Sequence, residues 1–268
     1  MTQAGTQLPR STVMIYGALG FPLALLGYPL AVWLPRAYGT DVGIELYLIG
    51  TIISAAAIFD AITDPLIGFA SDRYRSRWGR RRSWISVGLP LLTLATWMLL
   101  SPDSAATASY LAIWYIALRI GSTLVLVPYG AWGAEISNDY HDRTRVNSAR
   151  QKWVLLGLIG AALIPAGVEL LSDSASVPAL EVLDAFAWAV LLTLPLIGAL
   201  LLMRVPEPPA LGGEGRTPLF RSLKLMWRNG LFRRVVTIEL VITGGEYFTN
   251  TPVSYTHLTL PTMLAQCW

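Results

Sequence analysis

Two aspartates, Asp60 and Asp64, lie four residues apart inside an apolar stretch long enough to cross a membrane. At this spacing on a helix, two side chains share one face, with Cβ atoms about 5 to 6 Å apart. An ionised carboxylate deep in a bilayer costs about 3 kcal/mol, so the pair requires a cation, a proton or an arginine from another helix. The spacing therefore predicts a site for sodium or a proton. An ion pair that only holds helices together is the alternative.

Pro65 adds a further oxygen at the same level, because it has no N–H to bond the carbonyl group of Ala61. Hard cations prefer such oxygen ligands. If Asp72 lies at the membrane surface, a rise of 1.5 Å per residue places Asp60 about 18 Å deep, near the midplane. These positions favour a bound cation or proton over an ion pair that only holds helices together.

Arg119 is a second charged residue within an apolar stretch, and Thr123 lies one turn away on the same helix face. Three interpretations of Arg119 are open. It could anchor an anionic or hydroxyl-rich substrate, neutralise Asp60 and Asp64, or extend to the outer headgroups.

The elements that must position these residues are membrane helices. The chain is 54% hydrophobic and 14% charged, with a mean hydropathy of +0.51, which is far more apolar than a soluble domain. Crossing the hydrocarbon takes about 20 helical residues. Six runs meet this length: Val13 to Leu34, Leu46 to Ala70, Trp84 to Leu100, Ala108 to Ala131, Trp153 to Leu171 and Leu183 to Met203. We therefore predict an all-α membrane protein, with a seventh helix beginning near Val235.

The lysines and arginines predict the orientation. With a cytoplasmic N-terminus, 18 of the 20 basic residues fall on the cytoplasmic side, and the exceptions are Arg36 and Arg119. This predicts a multi-pass protein of the inner membrane. The basic pI of about 9.1 then reflects topology and the lipid bilayer, and we expect no nucleic-acid partner. No histidine, cysteine or serine motif accompanies the aspartates, so we expect neither an enzyme nor a cofactor besides the coupling cation.

Several segments resemble one family. The stretch from Asp60 to Pro65, followed by Gly68, Asp72-Arg73 and the run from Arg77 to Arg80, is similar to the second helix and following loop of the glycoside-pentoside-hexuronide:cation symporters. These belong to the major facilitator superfamily. The resemblance implies a transporter of two six-helix halves that alternates access around a central site, with sodium or protons driving uptake of a sugar, glycoside or hexuronide.

The resemblance also implies roles for single residues. Asp60, Asp64 and Thr123 match cation ligands of the family, which would hold sodium if the protein is sodium-coupled. Arg150 matches a helix-five arginine important for transport, so Arg150 and Arg119 are candidate substrate-binding residues. An ordinary positive charge at the cytoplasmic end is the alternative for Arg150.

This sequence departs from the galactoside carriers of the family at two positions. Those carriers hold sugar hydroxyl groups with carboxylates, whereas the matching residues here are Ala24 and Leu126. We therefore expect a different substrate class, and Arg119 makes a carboxylated sugar such as a hexuronide a candidate.

The loop between the second and third spans resembles the superfamily's signature for closing the cytoplasmic side through contacts with helix ends. Asp72 and Arg73 are the main candidates, and topology determinants alone are the alternative. The residues assigned to conformational gating are Gly68, Asp72, Arg73, Gly79, Arg80 and Arg81.

Glycine and proline interrupt spans one and four, the equivalent first helices of two three-helix repeats within residues 1–203. Such matched breaks indicate a transport site at the repeat interface, and helix packing through small residues is the alternative. We assign 204–232 to a central cytoplasmic loop and 233–251 to the start of helix seven. Residues 252–268, with the single cysteine Cys267, form a tail whose segment from Val253 to Thr262 resembles a translated sequencing adapter, so we expect this tail to be non-native. A transporter would then lack its C-terminal six helices. The alternatives are a half-transporter that pairs with another chain and a membrane enzyme that uses the aspartates as acid and base.

Overall fold

The computed structural model describes residues 8–74, 76–103, 105–137, 139–172, 177–207 and 225–242. The chain divides into two units, Met1–Ala210 and Leu211–Trp268. Within the described part of the second unit, residues 225–228 and 230–242 are helical. The helices of the first unit are α1 (Arg10–Ala18), α2 (Gly20–Thr40), α3 (Leu46–Arg73), α4 (Arg80–Leu100), α5 (Ala108–Glu135), α6 (Tyr140–Leu171) and α7 (Ala179–Arg204).

The prediction of an all-α membrane protein is confirmed. Six spans in the described residues are long and apolar enough to cross a membrane, and each contains one of the six predicted runs. The first span, Arg10–Thr40, comprises both α1 and α2. The break between them lies at Leu19, because Pro22 has no N–H to bond the carbonyl group of Ala18.

The helices extend beyond the apolar runs at their polar ends. The largest difference is in α6, which begins at Tyr140 although the apolar run begins at Trp153. The side chain of Asp139 accepts hydrogen bonds from the backbone N–H groups of His141 and Asp142 and so caps this helix. Hydropathy marks the part of a helix inside the hydrocarbon, whereas capping residues mark its true end.

The helices pair in a regular pattern. The span of α1 and α2 packs on α6 and α7, and α5 packs on α3 and α4, while α4 also contacts α7. Glycines allow the closest approaches, since a Cβ atom on Gly121 of α5 would lie 2.8 Å from the backbone nitrogen of Leu92 in α4. The first span thus contacts the fifth and sixth spans, and the fourth contacts the second and third. The division into two three-helix repeats stays a prediction.

The buried core lies mainly between α1, α2, α4, α5 and α7, whereas α3 and α6 expose most of their side chains. The predicted tail 252–268 lies outside the described residues. So do 208–224 of the predicted central loop and 243–251 of the predicted seventh helix. The assignment of these segments stays a prediction.

Candidate functional site

The candidate cation site lies between α3 and α5. Asp60 on α3 is 6% exposed, and its Oδ2 atom forms an ion pair with the guanidinium group of Arg119 on α5. A buried carboxylate needs such a counter-charge, because desolvation makes an unpaired charge costly. The structure therefore brings together two charged residues that the sequence places inside the membrane.

Thr123 connects the second aspartate to the same cluster. Its hydroxyl group donates to Oδ1 of Asp64 at 2.8 Å, and the backbone carbonyl oxygen of Arg119 lies 3.1 Å from that hydroxyl. Thr123 is buried, whereas Asp64 is exposed. One turn of α5 thus holds both aspartates, one through a guanidinium group and the other through a hydroxyl group.

The ligand atoms that this cluster offers suit a hard monovalent cation or a proton. Two carboxylates and a hydroxyl group supply oxygen atoms only, and α3 continues through Pro65, which leaves the Ala61 carbonyl without its usual helical partner. Among the described residues, no group of three or more His, Cys, Asp or Glu side chains could hold a metal ion. In this structure, the positive charge beside Asp60 is the guanidinium group of Arg119.

Arg150 on α6 lies at a different depth along the bundle from Arg119. Its guanidinium carbon lies 5.2 Å from the ring centroid of Tyr129, in a cation–π contact. Tyr129 follows Arg119 by ten residues on α5, which corresponds to about 15 Å along the helix. The structure therefore places the two candidate substrate-binding arginines apart.

Tyr16 and Tyr129 form a buried pair that the sequence analysis missed. Their rings stack with centroids 4.6 Å apart, and each hydroxyl group donates to the other residue's backbone carbonyl oxygen. Both residues begin the same pattern, Tyr-Gly-Ala-x-Gly, at Tyr16–Gly20 and Tyr129–Gly133. This repeated pentapeptide was the signal in the sequence.

The arginine-rich end of the bundle, where α3, α5 and α7 end and α4 and α6 begin, holds an ion-pair network. Arg81 is buried, and its Nη2 atom lies 2.6 Å from Asp72 Oδ1 and 2.9 Å from Glu135 Oε1. Its Nη1 atom donates to the Ser71 hydroxyl at 2.9 Å. Arg80 pairs with the other oxygen of Glu135. Glu135, at the end of α5, is thus the common acceptor, and the sequence analysis did not assign it a role.

The remaining gating candidates lie at the edges of this network. The guanidinium carbon of Arg73 lies 4.2 Å from the ring centroid of Phe69. Asp72 forms its ion pair with Arg81 of the network. Gly68 faces α5, since a Cβ atom there would lie 3.5 Å from Val127.

Gly79 and Glu207 connect the start of α4 to the chain after α7. Gly79 has φ 114° and ψ 165°, a region open almost only to glycine. A side chain there would also meet the carboxylate of Glu207. That carboxylate accepts from the backbone N–H of Arg81 at 2.5 Å, so Glu207 caps α4 where its own N-cap residue has no side chain.

The two positions that carry carboxylates in galactoside carriers are apolar here. Ala24 packs on α6, since a Cβ atom on Gly157 would lie 3.0 Å from its methyl group. Leu126 is 40% exposed on α5. Neither side chain can accept a hydrogen bond from a sugar.

Comparisons with known proteins agree with this architecture. Residues 15–258 match the family model described as MFS/sugar transport protein. An uncharacterized symporter of Synechocystis is 38% identical over 176 residues, which are 60% of this chain and 32% of that relative. The inner membrane symporter YicJ of Escherichia coli is 38% identical over 115 residues, 41% of this chain and 25% of the relative.

Among solved structures, the inward-open xylose transporter XylE of Escherichia coli superimposes with a TM-score of 0.51 at 19% identity, over 85% of this chain and 53% of XylE. The family match and the shared fold together place this chain in the major facilitator superfamily. The chain belongs to the MFS/sugar transport protein family, and the resemblance to its glycoside-pentoside-hexuronide:cation symporters is confirmed. It spans between a quarter and a third of the two curated relatives.

Proposed function

We propose that this chain supplies the cation site and the N-terminal half of a symporter, in which sodium or protons drive uptake of a sugar, glycoside or hexuronide. The observation that carries the proposal is the ion pair between buried Asp60 and Arg119, with Thr123 holding Asp64 beside it. The names of the relatives support symport. The second half is part of the proposal because the chain matches only a portion of each relative.

Competition for Asp60 explains how the cation and the substrate would be coupled. A coupling cation and the Arg119 guanidinium group carry the same charge, and the buried carboxylate of Asp60 can satisfy only one of them closely. Cation binding then releases Arg119, whose side chain is 37% exposed, to bind oxygen atoms of the substrate. By linkage, substrate that holds Arg119 raises the cation affinity by the same factor.

A released guanidinium group favours a carboxylated substrate over a neutral one, because arginine binds a carboxylate through two parallel hydrogen bonds. The apolar residues Ala24 and Leu126 support this preference, since they remove the acceptors that a neutral galactoside would use. We place the protein in the inner membrane with its N-terminus in the cytoplasm, which the distribution of basic residues supports.

Sodium binding by the purified chain tests the cation site directly. The unfolding temperature is measured as sodium replaces choline at constant ionic strength, at several pH values. Specific binding stabilises the folded state in proportion to the logarithm of ligand concentration over Kd. If sodium is the coupling ion, we expect it to stabilise wild type and not Asp60→Asn. If a proton is, we expect the pH dependence of the unfolding temperature to differ between wild type and Asp60→Asn, since the other carboxylates are common to both. A wild-type chain with no response to sodium and with the pH dependence of Asp60→Asn contradicts the cation site.

Transport is tested on a reading frame that includes a second six-helix half, in proteoliposomes. We expect a sodium or proton gradient to drive uptake of labelled glucuronate more strongly than uptake of a neutral glycoside. Asp60→Asn should abolish the dependence on the gradient. Gradient-driven uptake that is undiminished in this variant contradicts the assignment.

A further inference from the structure

A groove of about 770 Å³ runs between α4 and α7, on a part of the surface that no residue of α3 lines. Leu89, one of its lining residues, packs on Gly198 of α7, where the helices approach closely. Pro90 and Pro195 lie on opposite walls, and the edge contact of Trp97 with Trp188, with ring centroids 4.8 Å apart, lies at the end away from the arginines. Because both helices span the membrane, the groove opens toward hydrocarbon.

The lining offers little to a polar ligand. Its two hydroxyl groups, on Ser86 and Thr93, donate to carbonyl oxygens one turn back in their own helix, at 2.7 and 2.8 Å. The other lining side chains are apolar apart from the indole N–H groups of Trp78 and Trp97. A sugar or an ordered water would leave its own hydrogen bonds unmade here, and this costs more than the contact returns.

The dimensions match one lipid chain. The lining residues of α4 run from Ser86 to Trp97 and those of α7 from Leu191 to Leu202, each about 16 Å at 1.5 Å per residue. One leaflet of a hydrocarbon core about 30 Å thick has nearly the same depth. A transmembrane helix about 30 Å long and 10 Å wide occupies about 2,400 Å³, which is three times the volume of the groove.

Positive charge at the arginine-rich end of the groove favours a lipid with an anionic headgroup. Trp78, 63% exposed, lines the end of the groove at the arginine-rich end of the bundle. Arg77 precedes it, and Arg204 lies two residues beyond Leu202 in the chain. Both arginines are exposed, and neither forms an ion pair with a described residue, in contrast to Arg80 and Arg81. A tryptophan flanked by exposed guanidinium groups suits the phosphate level of a leaflet.

We infer that the groove between α4 and α7 is a binding site for an anionic phospholipid, with one acyl chain between Pro90 and Pro195 and the phosphate at Arg77 and Arg204. The bound lipid fills a gap that the two prolines and Ala199 leave between the helices. It thereby completes the packing of α4, the helix that begins with the arginine network.

Photo-crosslinking tests this site on the full chain. The protein is reconstituted in phosphatidylcholine vesicles that contain phosphatidylglycerol with a diazirine on its acyl chain, and labelled peptides are mapped by mass spectrometry. We expect labelling to concentrate on α4 and α7, and to fall severalfold when the same diazirine chain is carried by phosphatidylcholine. Equal labelling of all lipid-facing helices overturns the inference, and crosslinks between two copies at this groove identify a second chain as the occupant.

Matched variants separate the acyl site from the headgroup site. Ala199→Phe fills the groove and should lower labelling on α4 and α7 at least fivefold, whereas Leu196→Phe on the exposed face of α7 should not. Arg77→Gln and Arg204→Gln should each lower the preference for phosphatidylglycerol about fivefold, and Arg10→Gln should leave it unchanged. Ser86→Leu fills the groove independently, from the side of α4. Circular dichroism checks that each variant is folded. Labelling that survives both filling variants overturns the acyl site, and a preference unchanged by both arginine variants overturns the headgroup site.

Discussion

The hydroxyl group of Tyr16 and the backbone carbonyl oxygen of Tyr129 lie 2.7 Å apart, and the same distance separates the Tyr129 hydroxyl from the carbonyl oxygen of Tyr16. A carbonyl oxygen has two lone pairs, so each can accept a tyrosine hydroxyl in addition to a backbone N–H. Spans one and four run antiparallel, because the chain reverses its direction across the membrane three times between them. The pair therefore fastens the first span to the fourth close to the arginine-rich end.

Removing either hydroxyl group should weaken this fastening. We expect Tyr16→Phe and Tyr129→Phe each to lower the free energy of unfolding by about 1 kcal/mol, since a membrane hydrogen bond contributes about that much. The double variant should lose less than the sum, because both bonds hold the same stacked rings. Equilibrium unfolding in mixed micelles measures the three values.

Tyr28→Phe is the control for this cycle, because the Tyr28 hydroxyl makes no hydrogen bond with a described residue, although its ring packs on Phe186. Its free energy of unfolding should match wild type. If the single variants of Tyr16 and Tyr129 match it as well, the two bonds contribute nothing to stability.

Two glycines of α5 should respond oppositely to the same substitution. A Cβ atom on Gly121 would lie 2.8 Å from the nitrogen and 2.9 Å from the Cα atom of Leu92, so Gly121→Ala should push α4 and α5 apart and cost about 2 to 3 kcal/mol. Nothing lies within 4 Å of such an atom on Gly130. Gly130→Ala should gain up to about 1 kcal/mol from helix propensity. Equal effects on unfolding would contradict this reading of the α4–α5 contact.

Much of the fold follows from patterns that the sequence displays openly. Length and hydropathy of the apolar runs determine how many helices cross the membrane, and all six were predictable. The start of α6 was not, because its first turns at Tyr140 are polar and are held by the cap at Asp139. Such a cap acts through one or two hydrogen bonds, which no average over a window of residues detects.

The candidate site was predictable in its members and only partly in their contacts. Charge inside an apolar helix identified Asp60, Asp64 and Arg119, because few other arrangements tolerate it. The choice of Arg119 as the partner of Asp60 depends on how α3 and α5 face each other. Glu135 went unassigned for a related reason, since an acid at a helix end carries no signal until its two arginines are folded against it.

Removing the counter-ion should expose the competition at Asp60. In Arg119→Gln the buried carboxylate loses its partner, and we expect a loss of about 3 to 5 kcal/mol when sodium is absent. Sodium should then stabilise this variant more than wild type, because no guanidinium group competes with it. The measurement is the unfolding temperature against sodium concentration at constant ionic strength.

The double variant Asp60→Asn, Arg119→Gln is the control, since it removes both charges. Its stability should recover most of the loss and should not depend on sodium. A sodium response in Arg119→Gln equal to that of wild type would show that arginine and cation do not share Asp60.

Thr123→Val tests the second half of the cation site without a change of shape. The variant loses the hydrogen bond to Asp64 and a ligand oxygen, so we expect sodium to bind at least tenfold more weakly, with a loss of about 1 kcal/mol in stability. Thr193→Val is the matched control, because within the described part of the chain the Thr193 hydroxyl donates to the Ala189 carbonyl oxygen of its own helix and to no other group. Titration of the unfolding temperature with sodium distinguishes the two. Equal sodium affinities would remove Thr123 from the site.

The start of α4 should depend on Gly79 for two separable reasons. Gly79→Ala places a Cβ atom in backbone geometry with φ 114°, at a cost of about 1 to 3 kcal/mol. It also displaces the Glu207 carboxylate that caps α4, which should cost about 1 kcal/mol more. Glu207→Ala alone removes only the cap. In that background, Gly79→Ala should therefore cost the backbone strain alone, and the difference between the two measured costs in equilibrium unfolding gives the coupling of Gly79 to Glu207. A cost that is the same in both backgrounds would mean that the carboxylate and the glycine act independently.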